Sequence, residues 1–434
     1  MSFVHKALIV LMLLAANAAN AQERLTLQDA IARALQHNYD IRIAQNVARQ
    51  TEVNNTAGNA GMLPNVNVVG GVTTGSANTH IEFADGRVQD VNNAASLQVN
   101  GSAQLDWTIF DGGKMFIVKK QLNVLEEAGK AQLKAQVQAT VSQVIQAYAQ
   151  VVLQQQQGIA IDTALVLAQT RMVLSQMKFE TGISAKTDYL QALTDYNARQ
   201  SDSMYRESSL NAAFANLNML MGVDDFSTYI VDDSLDLDVA LTPTDKERLE
   251  DVNLTLEYAR RTAEASRLNA RALKADMLPK LALNGAYNYN YTRSQSGFAL
   301  FNRSYGPTGG LVLNAPIFNG GNIRRQAKVA SLQAMRDDLL YQKQNTELAR
   351  QYRTAWRNYE VAVSAYRLEQ KNINNAKENK DIQAARFRVG VATTLEIREA
   401  ENSYVQALLR VYTAAYNLKV NETQVLELEN ELVK

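Results

Sequence analysis

The sequence predicts an α+β membrane protein built from two copies of one helix–strand–strand–helix unit. Three observations predict this class: recurring landmark residues, very long helical stretches, and strands with one apolar and one polar face. The segment Ile109-Phe110-Asp111-Gly112-Gly113 returns 208 positions later as Ile317-Phe318-Asn319-Gly320-Gly321. The landmarks Phe179, Gly182, Asp188, Ala192 and Tyr196 return at the same offset as Phe387, Gly390, Glu396, Ala400 and Tyr404.

The chain is expected to divide into four segments. Residues 1–21 resemble a cleaved secretory signal: His5 and Lys6 precede an apolar run, and Ala19-Asn20-Ala21 gives a small-x-small cleavage site. A membrane anchor is the alternative, but the run is shorter than the roughly 20 residues that span a bilayer. The remaining segments are a first repeat at 22–222, an acidic linker or equatorial region at 223–250, and a second repeat at 251–434.

Composition excludes several classes of function. The 44 basic and 44 acidic residues balance, which gives no basic footprint for nucleic acid. Cysteine is absent, which excludes disulfides, thiol catalysis, Cys metal sites and the lipid-bearing Cys of a lipoprotein. No catalytic Ser/His/Asp set, metal-ligand cluster or phosphate loop is present, so we expect neither an enzyme nor a cofactor. The linker aspartates lack the spacing of a calcium loop and indicate a solvated segment instead.

The predicted helices are long, and each has only a narrow stripe of apolar residues along one side. Residues 114–221 and 322–434 contain no proline, and Tyr352, Trp356, Tyr359, Val363 and Tyr366 step by 4, 3, 4, 3, which is typical of coiled-coil packing. The first stretch, from Lys114 to Lys178, would extend roughly 98 Å as one helix. A compact domain does not hold such a helix. After the signal, no apolar run is expected to form a transmembrane helix.

Strands are predicted after Pro64 and Pro279, at about 64–110 and 279–318. Leu97 to Trp107 and Leu281 to Tyr291 alternate between apolar and polar residues. Polar loops around 78–93 and 293–305 would divide each region into two strands, and His80 would lie in the first of them. The apolar faces end in aromatic residues that are typical of the girdle of a membrane barrel, namely Trp107, Tyr287, Tyr289 and Tyr291. A soluble sheet that covers a core is the alternative. Four strands cannot close a barrel in lipid, so the membrane interpretation requires an oligomer.

Together these features resemble the TolC family of outer-membrane efflux and secretion ducts. The resemblance covers essentially the whole mature chain and rests on the duplication, the strand pair after Leu-Pro, the aromatic-x-Gly-Gly return to helix, and Phe-x-x-Gly followed six residues on by an acid. It implies a homotrimer in the Gram-negative outer membrane. Each chain would give four strands to a shared twelve-stranded barrel and its long helices to a periplasmic α-helical barrel.

The resemblance also assigns roles at the helical turns. In family members, acids at the positions of Glu396 and Glu399 form rings at the closed periplasmic end, and crowding would raise the pKa values of such carboxylates. Asp188 is the counterpart of Glu396 in the first repeat. A solvated acidic helix face is the alternative for Glu396 and Glu399, which lie three residues apart.

Two further sets of residues take roles from the resemblance or from their position. The turns would dock a periplasmic adaptor protein that couples the duct to an inner-membrane pump of the RND or ABC type, although tight chain reversal alone could explain them. These turns comprise Gly182, Ile183, Ser184, Ala185, Gly390, Val391, Ala392 and Thr393. The strand–helix junctions are Gly112, Gly113, Gly320 and Gly321.

Two questions stay open at this point. Some members tie the tip shut with a tyrosine hydroxyl and an arginine, where this chain has Phe387 and Ala392, so Arg388, Arg398 or Lys186 would have to substitute. The transported substrate, in multidrug efflux or type I secretion, cannot be read from the chain. A non-pore coiled-coil scaffold is the competing function, and it would explain the helices without explaining the strands.

Overall fold

The computed structural model describes residues 24–223, 227–232 and 234–433. The predicted signal peptide, together with Asp224, Asp225 and Asp233 of the acidic linker, lies outside the described residues. The eight helices in the described part are α1 (Leu27–His37), α2 (Tyr39–Asn54), α3 (Lys114–Glu180), α4 (Lys186–Met221), α5 (Lys246–Val252), α6 (Leu254–Ala275), α7 (Asn322–Arg388) and α8 (Thr394–Leu428). The strands are β1 (Arg24–Leu25), β2 (Asn65–Glu82), β3 (Val88–Phe110), β4 (Ile230–Val231), β5 (Lys280–Ser294) and β6 (Phe301–Asn314).

The long helices predicted from the proline-free stretches are confirmed. Helices α3 and α7 each contain 67 residues. Such length needs support from packing, because a helix in water gains little stability from propensity alone. The described residues divide into two compact units, one formed by those within 24–46, 131–257 and 344–433, the other by residues 47–130 and 258–343.

The first unit has a core where α1, α3 and α4 meet a small parallel sheet of β1 and β4. Leu25, Val144, Val151, Phe214 and Leu217 are buried in this core. The hydroxyl of Tyr148 donates to the carbonyl of Leu25 (3.1 Å), which ties α3 to β1. The linker is also held in place, because the backbone amides of Leu241 and Thr244 donate to the hydroxyls of Tyr359 and Tyr352 on α7.

One stretch of α3 corrects the expectation that no membrane-spanning helix follows the signal. Among the described residues, α3 alone contains an 18-residue window that is apolar enough to cross a bilayer, judged by length and composition. A core helix has the same composition. Helix α3 contributes Val141, Val144, Val151 and Val152 to the protein interior, and a third of the apolar window is buried in the single chain.

The second unit is dominated by a four-stranded antiparallel sheet in the order β2-β3-β5-β6. Its edges, β2 and β6, pair with no other strand of the described chain. Three expectations were wrong here. The first loop spans only residues 83–87, so His80 lies in β2, where it pairs with Asp90; the second spans residues 295–300. Strand β6 ends at Asn314, four residues before Phe318, because Pro316 has no amide hydrogen to donate to the sheet.

The register gives the whole sheet one apolar and one polar face, because directly paired residues in neighbouring strands point to the same side. The apolar face carries Val66, Val68, Val72, Leu97, Val99, Leu105, Trp107, Leu283, Tyr287, Tyr289, Tyr291, Tyr305, Leu311 and Leu313. The polar face carries Asn67, Thr73, Gln98, Asn100, Ser102, Gln104, Asp106, Asn284, Asn288, Asn290, Ser304 and Thr308. Most of the apolar face is exposed in the single chain, so this sheet does not cover a core of its own.

Candidate functional site

Two helical turns close the hairpins of the first unit. Turn 1 (residues 181–185) joins α3 to α4, and turn 2 (residues 389–393) joins α7 to α8. Gly182 and Gly390 have φ values of 76° and 78°, in the left-handed region that glycine adopts most easily. The amides of the next two residues donate to one carbonyl in each turn, that of Lys178 in turn 1 and of Arg386 in turn 2. Glycine therefore sets the same reversal twice.

The side chain of Glu396 caps the start of α8. Its carboxylate accepts hydrogen bonds from the amide (2.7 Å) and the hydroxyl (2.8 Å) of Thr393, while the amide of Glu396 donates to the Thr393 hydroxyl (3.3 Å). This reciprocal arrangement is a capping box. The bonds from Thr393 hold the pKa of Glu396 below its usual range in the single chain. That direction is opposite to the one expected for crowded carboxylates, which would need neighbouring chains.

The other two candidate gate acids, Glu399 and Asp188, lie near the starts of α8 and α4. Glu399 is exposed one turn beyond Glu396, and Asp188 is half-buried near the start of α4. The residue that precedes α4 is Ala185, which has no side-chain oxygen, so α4 begins without a side-chain cap. Hydrogen bonding thus distinguishes Glu396 from Asp188 although they correspond in sequence.

Turn 2 is fixed against the first hairpin by Lys178 of α3. The Lys178 ammonium donates to the carbonyl of Phe387 (2.8 Å) and lies 3.6 Å from the centre of the Phe387 ring. Phe387 is 3% exposed and packs with Ala392 and Ile397. Burial lowers the pKa of Lys178, although the contact favours its charged form. The sequence does not point to Lys178 as a latch, because it lies within α3 and not beside turn 2.

A buried ionic triad crosses the two hairpins farther from the turns. The Arg171 guanidinium of α3 donates to the carboxylate of Glu401 on α8 and to that of Asp195 on α4 (2.9 Å). Arg171 is 4% exposed and Glu401 is 8% exposed. Burial raises the pKa of Glu401 to about 7, although Arg171 opposes the shift. Gln191 donates a further hydrogen bond to Asp195 (3.0 Å).

The residues suggested as a latch do not form one within a single chain. In the described part of the chain, no ion pair involves Arg388, Arg398 or Lys186. The triad, Lys178 and a hydrogen bond from Arg199 of α4 to Asn402 of α8 (3.1 Å) are among the contacts between the hairpins instead. Periodicity could have flagged Arg171, since it replaces a small or apolar residue on the packed side of α3, between Ala168 and Ser175. Its partners could not be inferred, because they lie 24 and 230 residues away.

The turns expose apolar side chains. Ile183 of turn 1 is 73% exposed and Val391 of turn 2 is 66% exposed, and Val389 beside Gly390 is exposed as well. Ser184 is half-buried, and Ala392 is buried beneath turn 2 rather than presented outward. The surface available to a partner therefore includes the apolar side chains of Ile183, Val389 and Val391, the exposed Ala185 and Thr393, and the backbone of the two glycines.

The junction glycines all have positive φ values, between 67° and 82°. A Cβ at Gly112 would lie 2.7 Å from the Cβ of Leu278, so the first junction needs glycine for space as well as for conformation. Near this junction Asp276 accepts from Lys114 (2.8 Å) and Lys280 (2.9 Å), and these bonds lower its pKa although burial opposes them. The second junction is open, with Ile317 and Phe318 almost fully exposed.

The four girdle candidates share the apolar face but lie at different levels. Trp107 pairs with Leu283, and its indole donates to the carbonyl of Met62 (3.0 Å). Tyr291 lies eight residues farther along β5, about 27 Å at 3.4 Å per residue. In a membrane, Trp107 and Tyr291 would therefore lie at two different depths, with Tyr287 and Tyr289 between them.

Comparisons with known proteins support the outer-membrane resemblance. A family model described as "Outer membrane efflux protein" matches residues 30–223 and 247–430. The outer membrane protein TolC of Vibrio cholerae is 25% identical over 58% of this chain and 58% of its own length. The corresponding protein of Escherichia coli is 22% identical over 78% of this chain and 70% of its own. The fold matches that of the outer membrane protein VceC from Vibrio cholerae, with a TM-score of 0.78 at 16% identity over 93% and 96% of the two chains.

Proposed function

The chain belongs to the outer membrane efflux protein family, and from this premise we propose that it forms a passive export duct of the outer membrane. The family consists of outer-membrane proteins that are not enzymes, and this chain shares that location and lack of catalysis. The observation that carries the proposal is the sheet with one apolar face, one polar face and two open edges. A soluble coiled-coil scaffold would not require a sheet with an exposed apolar face.

The open edges support a homotrimer. In lipid the unpaired backbone groups of β2 and β6 would cost several kcal/mol each, so each edge has to pair with another chain. Barrels in lipid contain at least about eight strands, and three chains would supply twelve. The apolar face would meet outer-membrane lipid, while the asparagine-rich and glutamine-rich face would line a water-filled channel. On α7, the exposed side chains of Val329, Leu332, Met335 and Leu339 form an apolar stripe that a second copy would cover.

The long helices would then form the periplasmic α-helical barrel, and turns 1 and 2 would lie at its closed end. Glu396 and Glu399, three copies of each, would surround the aperture and favour cations over anions. Asp188 would lie on the first hairpin beside them. The capping box explains why one of these acids is held in a fixed direction, as a selectivity ring requires.

Opening would require the hairpins to separate at the tip. Lys178 and the Arg171–Asp195–Glu401 triad connect the two hairpins within a chain, so opening between chains would cost less than opening within one. The exposed side chains of Ile183, Val389 and Val391 would receive the periplasmic adaptor. An inner-membrane pump of the RND or ABC type would supply the energy for transport, because a passive duct does not supply energy itself. Drug efflux and type I secretion are both compatible with this arrangement.

The test measures ion conductance through planar lipid bilayers into which the purified native chain has been inserted. We expect cross-linked trimers and cation-selective channels of low open probability. Replacing both Glu396 and Glu399 by Gln should reduce the cation-to-anion permeability ratio severalfold. The matched control replaces the exposed acids Glu207 and Glu378, which lie on the helices away from the turns. Monomers without conductance would contradict the duct, and unchanged selectivity in the double variant would remove both residues from the gate.

A further inference from the structure

Two arginines interrupt the apolar face of the sheet at the end that lies away from the helices. Arg293 is near the end of β5, and Arg303 is near the start of β6, just across the loop of residues 295–300. Both occupy positions of the apolar face, since Arg293 pairs with Leu97 and Phe301, and Arg303 pairs with Tyr291. Both are exposed.

These arginines have no acidic partner in the described part of the chain. No acid occurs in β5 or β6, whose charged residues are Lys280, Arg293 and Arg303. The nearest positions of the same face on β2 and β3 carry Thr74, Leu97 and Val99. Two exposed guanidinium groups with no protein carboxylate beside them are free to bind an anion from outside the chain.

The spacing brings both guanidinium groups within reach of one anion. Arg303 lies diagonally across from Arg293, two residues from its direct partner Phe301, and diagonal neighbours in an antiparallel pair are roughly 7–8 Å apart. Arginine presents a planar fork of donors that matches phosphate oxygens. The rings of Tyr291 and Phe301 pack edge-on across the other diagonal of the same four residues (5.4 Å between centres), so an aromatic floor lies between the two arginines.

Their height agrees with a lipid headgroup region. From Leu281 and Leu313, at the helix end of the apolar face, to Tyr291 and Arg303 is ten residues, about 34 Å along the strand. With the usual strand tilt of about 40°, this corresponds to roughly 26 Å along the membrane normal, close to the apolar band of a membrane barrel. The arginines therefore lie where the hydrocarbon ends, and Arg293 lies one step farther out.

We propose that Arg293 and Arg303 bind a phosphate group of the glycolipid in the outer leaflet, the lipopolysaccharide that surrounds the barrel. This inference rests on the proposed function, which places the β5–β6 loop at the outer surface. The acyl chains would lie along Leu283, Tyr287, Tyr289 and Leu311 of the apolar face, and the phosphate would accept from both guanidinium groups. Lipopolysaccharide fits better than a phospholipid, because its phosphates are carried on a sugar headgroup at the outer side, where these residues are.

The test measures binding of bisphosphorylated lipid A to the purified full chain in mild detergent, with lipid A lacking phosphates and phosphatidylglycerol as competitors. We expect the variant R293Q/R303Q to bind lipid A at least tenfold more weakly than the native chain, and R293K/R303K to be intermediate because lysine keeps the charge without the fork. The matched control, R271Q/R353Q, removes two exposed helix arginines and should bind like the native chain.

The result separates this inference from the proposed duct. The variant R293Q/R303Q should conduct normally in phosphatidylcholine bilayers, which contain no lipopolysaccharide and so test the duct alone. Equal lipid A binding by native and R293Q/R303Q chains would overturn the site, as would equal binding of lipid A without phosphates. Equally strong competition by phosphatidylglycerol would overturn the assignment to the glycolipid.

Discussion

Turns 1 and 2 have nearly the same backbone and very different surroundings. Gly182 and Gly390 set the same left-handed reversal, with the same pair of amide bonds to one carbonyl. Yet Phe179 is 37% exposed and stacks on Tyr189 of its own hairpin, whereas its counterpart Phe387 is buried against the other hairpin. Turn 1 is thus held by its own hairpin, and turn 2 is held by contacts from α3. The comparison teaches that glycine fixes the path of a turn, and side chains decide what it is attached to.

The attachment depends on residues that occur in one repeat only. At the 208-residue offset, Arg171 corresponds to Asn379, Glu401 to Leu193, and Asp195 to Ser403. None of these counterparts could form the same triad. The asymmetry between turns therefore extends more than two helical turns away from the glycines.

Removing Arg171 should have the largest effect on this asymmetry. We expect R171M to lower the free energy of unfolding by about 3–5 kcal/mol, because Glu401 would stay buried, and Asp195 half-buried, without their cation. Denaturant unfolding of the detergent-solubilised chain would measure the change. R357M is the control: its ion pair with Glu360 lies on one exposed face of α7 and should cost less than about 1 kcal/mol.

A triple variant makes this prediction sharper. Replacing Arg171 by Met together with Asp195 and Glu401 by Leu should recover much of the loss, because no unpaired charge remains buried. If R171M unfolded like the native chain, the triad would not join the hairpins, and the difference between the turns would have to rest on Lys178, Phe387 and the remaining contacts between the hairpins.

The pH dependence of stability gives a second, smaller effect. Burial raises the pKa of Glu401 to about 7, above the ordinary value of 4.5 that it has when unfolded. The folded chain therefore binds this proton more tightly, so the stabilisation is complete below pH 4.5 and is lost as the pH rises through about 7. The loss should be at most about 3.5 kcal/mol, since one pKa unit corresponds to about 1.4 kcal/mol. E401Q should flatten this part of the profile, and an unchanged profile would show that Glu401 does not titrate there.

The sequence predicts the backbone elements of the fold better than it predicts the contacts of their side chains. The long helices and the alternating strands follow from local periodicity, which lies within a few residues along the chain. The loop lengths were overestimated, because the polar residues at 78–82 and 88–93 resemble loop residues but continue the β2–β3 pairing. Polar strands that extend beyond an apolar band lose the alternation that identifies a strand.

The candidate site shows the same division. Gly182 and Gly390 could be found because each glycine follows a long helical pattern and acts through its own backbone. For Lys178, Arg171 and Glu401 the partners could not be inferred, although periodicity marks Arg171 as unusual, because their roles depend on contacts between α3 and helices more than 200 residues away. The capping box of Thr393 and Glu396 was within reach of the sequence, since the spacing of three residues is its signature. The interpretation of Glu396 as a gate residue does not include this capping role.

The smallest expected effect concerns the caps of α4 and α8. T393A should destabilise the protein by about 1 kcal/mol, the usual cost of losing a side-chain cap, while T393S should keep the hydroxyl and most of the stability. The reciprocal change A185S would place a hydroxyl before α4, three residues ahead of Asp188, and should stabilise the chain by a few tenths of a kcal/mol up to about 1 kcal/mol. Thermal unfolding of the four proteins side by side would measure both changes. If A185S and T393A shifted the melting temperature in the same direction, capping would not distinguish the turns, and the position of Glu396 would have to depend on neighbouring chains.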